Sequence, residues 1–445
     1  MTKNRLKVFL ISAFVIIAVC CTQMQKPGNN SNAPKLEAVQ TSPTPAACNA
    51  SADWVSSPQN APGEIPDNGP TLCQFYQFSW QWFLAMMNVA GDSRTFQNEQ
   101  NFPLLQAKGT NSCTATGIKS RIFVRNVKDN DGPADDFILP EKIGQAGGGD
   151  SIYDQNGNVV FYEVRFSRDE CSLDPATAQM FPAGTTEIKI SYRVITDADK
   201  PNYIWINADI NGDGKTDPNE LLGMVGFHLV KSTALHPEFV WATFEHKQNV
   251  PECQKTADAN TKWSFTSAAC ASQLPNSVTG ACSFNTASPG SVISGGTPTQ
   301  ICRVYHDGSK PGDNQVESNI ADIDMLNSQL VGTSGFITTL PDTNPLAVLK
   351  NYMLVGALWE SDVTQPSTVL TNQRGSIQLA NSTMETTFQQ TDANGNSLPY
   401  TGTNNLQYGA VNCFACHGYV PGNNVQLSHI FSQIQGGASK VQKTN

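Results

Sequence analysis

Residues 413–417 read Cys-Phe-Ala-Cys-His. Two thiols three positions apart can both form thioethers with the vinyl groups on one edge of a haem, and the following imidazole then projects towards the iron. The spacing therefore predicts one covalent haem c on Cys413 and Cys416, with His417 as the proximal ligand. Other readings of the same residues stay open. The two thiols could be a redox dithiol or a plain disulfide. They could also bind zinc together with His417 and His429, since twelve residues separate Cys416 from His429.

The sixth iron position decides between electron transfer and ligand chemistry. No Met follows His417, so a distal Met must come from upstream. Met384, 29 residues before Cys413 in Asn-Ser-Thr-Met-Glu-Thr, is the candidate distal ligand, and His429 is the other. The plain alternative for Met384 is core packing.

A second constellation runs from Asp209 to Glu220 and matches the twelve-residue calcium loop, D-x-[DN]-x-[DN]-G-x5-E, in full. Asp209, Asn211 and Asp213 would supply side-chain oxygens, Lys215 its carbonyl, Asp217 a direct or water-bridged contact and Glu220 both carboxylate oxygens. Gly214 permits the sharp turn. Thr216 replaces the usual branched apolar residue, and a strand-like segment precedes the loop instead of a helix. The expectation is an EF-hand-like calcium loop without a full EF-hand; an acidic hairpin turn is the alternative.

His228, His236 and His246 share one stretch, at spacings of eight and ten that do not suit a metal, and read as structural. Glu245 beside His246 is noted. The chain carries no Gly-x-Ser-x-Gly, no His-Glu-x-x-His and no phosphate loop.

These residues need a compartment and a scaffold. Lys3, Arg5 and Lys7 precede an apolar run from Val8 to Val19, broken only by Ser12, which reads as a secretory signal. Cys20 or Cys21 then fits the lipidated first residue of a bacterial lipoprotein. The expected location is the periplasm or outer membrane, touching the membrane only through a lipid anchor. The net charge of −10 argues against nucleic acid and would suit a basic redox partner protein of unknown identity. Apart from the signal and the 413–417 motif, the twelve cysteines leave Cys48, Cys73, Cys113, Cys171, Cys253, Cys270, Cys282 and Cys302, an even set that reads as disulfides. The last four crowd one segment and are expected to pair among themselves.

The expected organisation is a signal over 1–20, a Pro- and Asn-rich tether over 21–70, a body over 71–340 with a Cys-rich insertion at 253–302, and a haem-binding part over 341–445. Phe75, Phe78, Trp82 and Met86 recur at three and four residues and predict a helix over 72–90. Alternation predicts strands at 121–124, 159–166, 187–194, 203–207 and 239–244. Helical spacing returns at 319–330, 346–359 and 378–390, and a short amphipathic segment is read at 425–434.

Three islands, Phe239-Val-Trp-Ala-Thr-Phe-Glu-His246 with Asn249-Val-Pro, Leu379-Ala-Asn-Ser-Thr-Met-Glu-Thr386 and Asn412-Cys-Phe-Ala-Cys-His417, together with Ser79-Trp-Gln-Trp-Phe-Leu84, resemble bacterial exported proteins of the cytochrome c family. The resemblance implies haem binding and electron transfer and carries no assigned substrate. It supports Cys413, Cys416 and His417, and draws attention to Met384 and to Glu245-His246 without giving them a role. The calcium-like loop and the 253–302 insertion lie outside it. The expected fold class is α+β: a largely antiparallel β body with flanking helices and a mainly helical C-terminal haem-binding part. The expected function is a c-type haem electron-transfer protein of the bacterial cell envelope. The alternative is a haem-dependent oxidoreductase that uses the β body as its substrate domain.

Overall fold

The computed structural model describes residues 47–69, 71–106, 110–115, 151–210, 220–253, 255–275, 282–286, 292–303, 319–377, 379–386, 389 and 413–436. The signal, Cys20, Cys21, most of the tether, the strand expected at 121–124 and the calcium-loop interior lie outside these residues.

A short helix, α1 (Ala52–Ser56), opens the fold. Residues 47–69, expected to be tether, pack against the next helix, with Cys48, Val55 and Ile65 buried and Cys48 bonded to Cys73. That helix, α2, spans Leu72–Met87. It starts where Thr71 and Gln74 form a capping box, the Thr71 N–H donating to Gln74 Oε1 at 3.1 Å. A two-stranded ribbon, β1 (Val89–Ala90) and β2 (Ser93–Arg94), follows.

The body is one seven-stranded antiparallel sheet: β3 (Phe161–Phe166), β4 (Thr186–Ile195), β5 (Trp205–Asn207), β6 (Leu221–Lys231), β7 (Val240–His246), β8 (Tyr352–Glu360) and β9 (Gln373–Gly375). Its order is β3-β4-β6-β7-β8-β9, with β5 paired to the start of β6. Two short helices, α3 (Ala268–Ala271) and α4 (Asn319–Val331), lie between β7 and β8, and α5 (Cys413–Cys416) follows β9.

Period-two alternation gives the sheet two different faces. On one face Ile188, Ile190, Leu222, Phe227, Ala242, Phe244, Leu354 and Ala357 pack under α2 and α4. Phe83 of α2 stacks on Phe244 at 3.9 Å, and Phe75 stacks on Trp359 at 3.9 Å. The opposite face carries Tyr162, Val164, Val225, Trp241 and Leu358 and is covered by the C-terminal segment through Phe414, Leu427, Ile430 and Phe431.

The expected fold class is overturned at this point. Among the described residues the chain is mostly antiparallel sheet with short helices, and no mainly helical C-terminal part exists. After His417, Gly418, Pro421 and Gly422 break any helix, leaving α5 and a 3-10 turn at Asn424–Leu427. The helix expected at 346–359 is a 3-10 turn, Ala347–Asn351, followed by β8. All of β8 but Met353 is buried, so its apolar run mimics helical spacing. Residues 379–386 form turns instead of a helix, because Asn381, Ser382 and Thr383 spend their side chains on hydrogen bonds to the sheet and to one another. The sheet also crosses the expected boundary at residue 340, since β8 and β9 complete it.

The disulfides pair Cys48 with Cys73, Cys113 with Cys171, Cys253 with Cys302 and Cys270 with Cys282, so the last four do pair among themselves. Four such bonds mark a chain matured in an oxidising, exported environment. Among the described residues no helix is long and apolar enough to cross a membrane.

Candidate functional site

The three sequence islands meet on the face away from α2. β4 offers Lys189 and Ser191, β6 offers His228, and β7 offers Trp241, Thr243 and Glu245. The turn at 379–386 lies directly on them. Asn381 Nδ2 donates to Thr243 Oγ1 at 2.8 Å and to the Phe244 carbonyl at 3.2 Å. The Thr383 and Ser191 hydroxyls are 2.7 Å apart, and Tyr162 donates to the Thr383 carbonyl at 2.9 Å. Glu245 accepts from the Ser382 amide at 2.7 Å and from its hydroxyl at 2.5 Å. Gly226 makes the close approach possible: a Cβ there would stand 2.5 Å from Ser191 Oγ and 2.7 Å from Thr383 Oγ1.

This framework fixes Met384, whose side chain is fully buried in the same apolar cluster as Phe414, Tyr419 and Leu427. Its neighbour Glu385 holds His228 Nε2 at 2.9 Å and Lys189 Nζ at 3.8 Å. Burial works against the Glu385 carboxylate, but the His228 and Lys189 charges outweigh it and hold the carboxyl below its usual range.

Glu245 owes its position to Arg303. Nη2 of Arg303 lies 2.8 Å from Glu245 Oε2, and Nη1 lies 2.7 Å from Glu252 Oε1, with Arg303 only 3% exposed. The Cys253–Cys302 bond joins the residues next to Glu252 and Arg303. The Cys-rich insertion thereby clamps the turn that carries Met384.

The C-terminal layer brings in the motif. α5 is one helical turn, closed by the His417 amide donating to the Cys413 carbonyl at 2.8 Å. Cys413 is half-buried. The His417 ring rests against Trp241 at 4.5 Å and lies face to face with His429 at 3.9 Å and 16°. Nδ1 is 2.5 Å from the Leu427 carbonyl. A carbonyl only accepts, so Nδ1 carries the proton, and Nε2 is the nitrogen with the lone pair. Burial, then His429, push the imidazole well below its usual pKa, so the ring is neutral, the form that ligates metal.

The donor set fits a c-type haem. Two Cys and a His share one helical turn, the His tautomer is fixed for Nε2 ligation, and Trp241, Phe414 and Leu427 supply apolar surroundings.

The remaining expected residues are dispersed. His246 is buried with its pKa pushed down to about 3 by burial; it stacks on Tyr203 at 4.3 Å and lies 3.1 Å from the Asn202 carbonyl. His236 pairs with Glu238 and His228 with Glu385, so the three histidines form no common cluster. Asp209 and Glu220 flank the last β5–β6 pair, Asn207 with Leu221, and the Ala208 amide donates to the Glu220 carbonyl at 3.1 Å. The loop thus closes a β-hairpin, with its first and last positions brought together; Asn211, Asp213, Lys215 and Asp217 lie outside the described residues.

Sequence reasoning missed Trp241, Arg303 and the Lys189–His228–Glu385 group. Alternation along β7 places Trp241 on the same face as Glu245, but nothing local says what covers that face. An open cleft of about 460 Å³ lies elsewhere, lined by Arg94, Lys200, Trp205, Asp342 and Lys350 among others. Its cations are already engaged: Arg94 by the Met87 and Pro345 carbonyls, Lys200 by Asp197 and Lys350 by Asp342. No protein-family model, no curated protein and no solved structure matches the chain.

Proposed function

We propose that this chain is a c-type haem-binding electron-transfer protein of the bacterial cell envelope, similar to the cytochrome c family. The observation that carries the reading is His417 at the end of the Cys413–Cys416 turn, with Nδ1 committed to the Leu427 carbonyl and Nε2 left to ligate. Cys413 and Cys416 would hold the porphyrin edge, His417 the iron, and Met384 the sixth position. A bound haem would supply one-electron chemistry at its iron. The protein's own part is to keep the His417 ring neutral and fixed, to exclude water with Trp241 and Phe414, and to immobilise the Met384 turn through Glu245 and Arg303. A lipid on Cys20 or Cys21 would tether the body to the membrane, and a redox partner protein would exchange the electron.

Met384→Leu tests the carrier reading, since a volume-conserving swap in the core costs less than about 1.5 kcal/mol. The ferric wild type is expected to be low-spin with a sulfur–iron charge-transfer band, and Met384→Leu is expected to lose that band while staying folded. A high-spin ferric wild type that reacts with peroxide would contradict an electron carrier.

We also propose that the 209–220 loop binds calcium and pins the β5–β6 hairpin. Glu220→Gln is expected to lower the melting temperature in calcium by a few degrees, as about 1 kcal/mol does for a domain of this size. It is expected to change nothing in chelator; an equal loss in both would remove the site.

A further inference from the structure

Glu238 lies two residues before β7, Glu360 ends the neighbouring β8, and both side chains are fully buried at one corner of the sheet. They are neighbours, because the Glu360 amide donates to Glu238 Oε1 at 3.3 Å. His236 Nδ1 lies 2.7 Å from the same oxygen, and Asn372 Nδ2 donates to Glu360 Oε2 at 3.2 Å. The second oxygen of each carboxyl, Glu238 Oε2 and Glu360 Oε1, is buried with no hydrogen-bond partner. An ionised carboxylate left in that state carries a large desolvation cost.

The surroundings supply little positive charge. His236 faces Glu238, while Asp362 and Tyr419 face Glu360. α2, which packs here through Phe75 against His236 and Trp359, has no charged residue. Arg374 on neighbouring β9 gives its guanidinium to the carbonyls of Thr371, Asn372 and Gln373. Burial, and then the Glu238 charge, push the Glu360 carboxyl up to about 8, and burial raises Glu238 as well.

The C-terminal layer docks on this corner. Asn424 Nδ2 donates to the Pro237 carbonyl at 2.9 Å, one residue before Glu238. The Tyr419 hydroxyl donates to the Val363 carbonyl at 2.8 Å, and its amide donates to Ser367 Oγ at 2.9 Å. Trp241, which rests on His417, donates its indole N–H to the Glu238 carbonyl at 3.1 Å.

We propose that the Glu238–Glu360 pair is a proton-operated latch: while the pair holds a proton, the layer 413–436 stays docked with His417 against Trp241, and loss of that proton releases the layer. The chemistry is a simple deprotonation to solvent. The latch concerns how the layer docks at the Pro237 and Val363 carbonyls, and it rests on Glu238 and Glu360, neither of which is a proposed haem ligand.

The sign follows from linkage. With the layer open, the carboxyls meet water and titrate near an ordinary value of about 4.3. Between that value and about 8 the closed form binds one proton more than the open form. Each pH unit in that window therefore multiplies the opening constant by about ten, and it levels off above the window.

Hydrogen exchange on the full-length protein, corrected for intrinsic exchange rates, reads this directly. Peptides from 413–436 are expected to lose protection by about tenfold per pH unit from pH 5 to pH 8, while α2 keeps its protection. Glu360→Gln is expected to abolish the slope and to leave the layer protected at pH 9. A wild type without the slope, a Glu360→Gln protein with the wild-type slope, or parallel loss in α2 overturns the proposal. Should Glu360→Gln not fold, Glu238→Gln must remove the slope in its place, and retention of the slope there overturns it equally.

Discussion

Replacing both Cys413 and Cys416 with Ala is expected to give a colourless protein that keeps its fold. Covalent attachment needs the two thiols, and nothing else in the motif can form a thioether. The fold does not need them. α5 is four residues long, and neither the seven-stranded sheet nor any of the four disulfides among the described residues includes a residue of it. The wild type, made alongside haem-maturation machinery, is expected to keep its colour through acid-acetone extraction. The double variant is expected to lose all of it while its far-UV circular dichroism is unchanged. Colour that survives extraction in the double variant would place the attachment elsewhere.

Arg303→Met is expected to destabilise the protein by about 3–5 kcal/mol, the usual cost of leaving a buried charge without its partner. Two carboxylates depend on this guanidinium: Glu245, fully buried, and Glu252. Burial already raises the Glu252 carboxyl against the pull of Arg303, so removal of the cation leaves only the penalty. Glu245 also holds Ser382, so the Met384 turn loosens at the same time. Urea unfolding monitored by tryptophan fluorescence measures the loss, and adding Glu245→Gln to Arg303→Met is expected to recover part of it. A loss below about 1 kcal/mol would mean that the network is solvated and does not clamp the turn.

The sequence spoke clearly where structure is local. α2 is visible because Phe75, Phe78 and Met86 repeat at helical spacing and all end up buried. β3, β4 and β7 are visible through alternation and β-branched content. β8 is not: β3 and β7 are buried on both faces as well, but Glu163, Arg165, Thr243 and Glu245 keep a polar residue at alternate positions there, whereas β8 is apolar on both faces, and β6, with Gly223 and Gly226 inside it, passes unread for the same reason. The 413–417 motif is legible as a spacing alone. What surrounds it is not: Glu245 meets Arg303 across 58 positions and Ser382 across 137, and such pairs exist only once the sheet has formed. The expectation of a helical C-terminal part failed for a related reason. The layer takes its shape from the sheet below it, through Trp241, Asn424 and Tyr419, and not from helical propensity.

The most direct test of the account is the intact mass of the mature wild-type protein together with a pyridine haemochrome spectrum. The expected result is a mass equal to the processed polypeptide with four disulfides plus one haem, and the spectrum of a haem bound through two thioethers. A colourless protein whose mass is that of the polypeptide alone would contradict it.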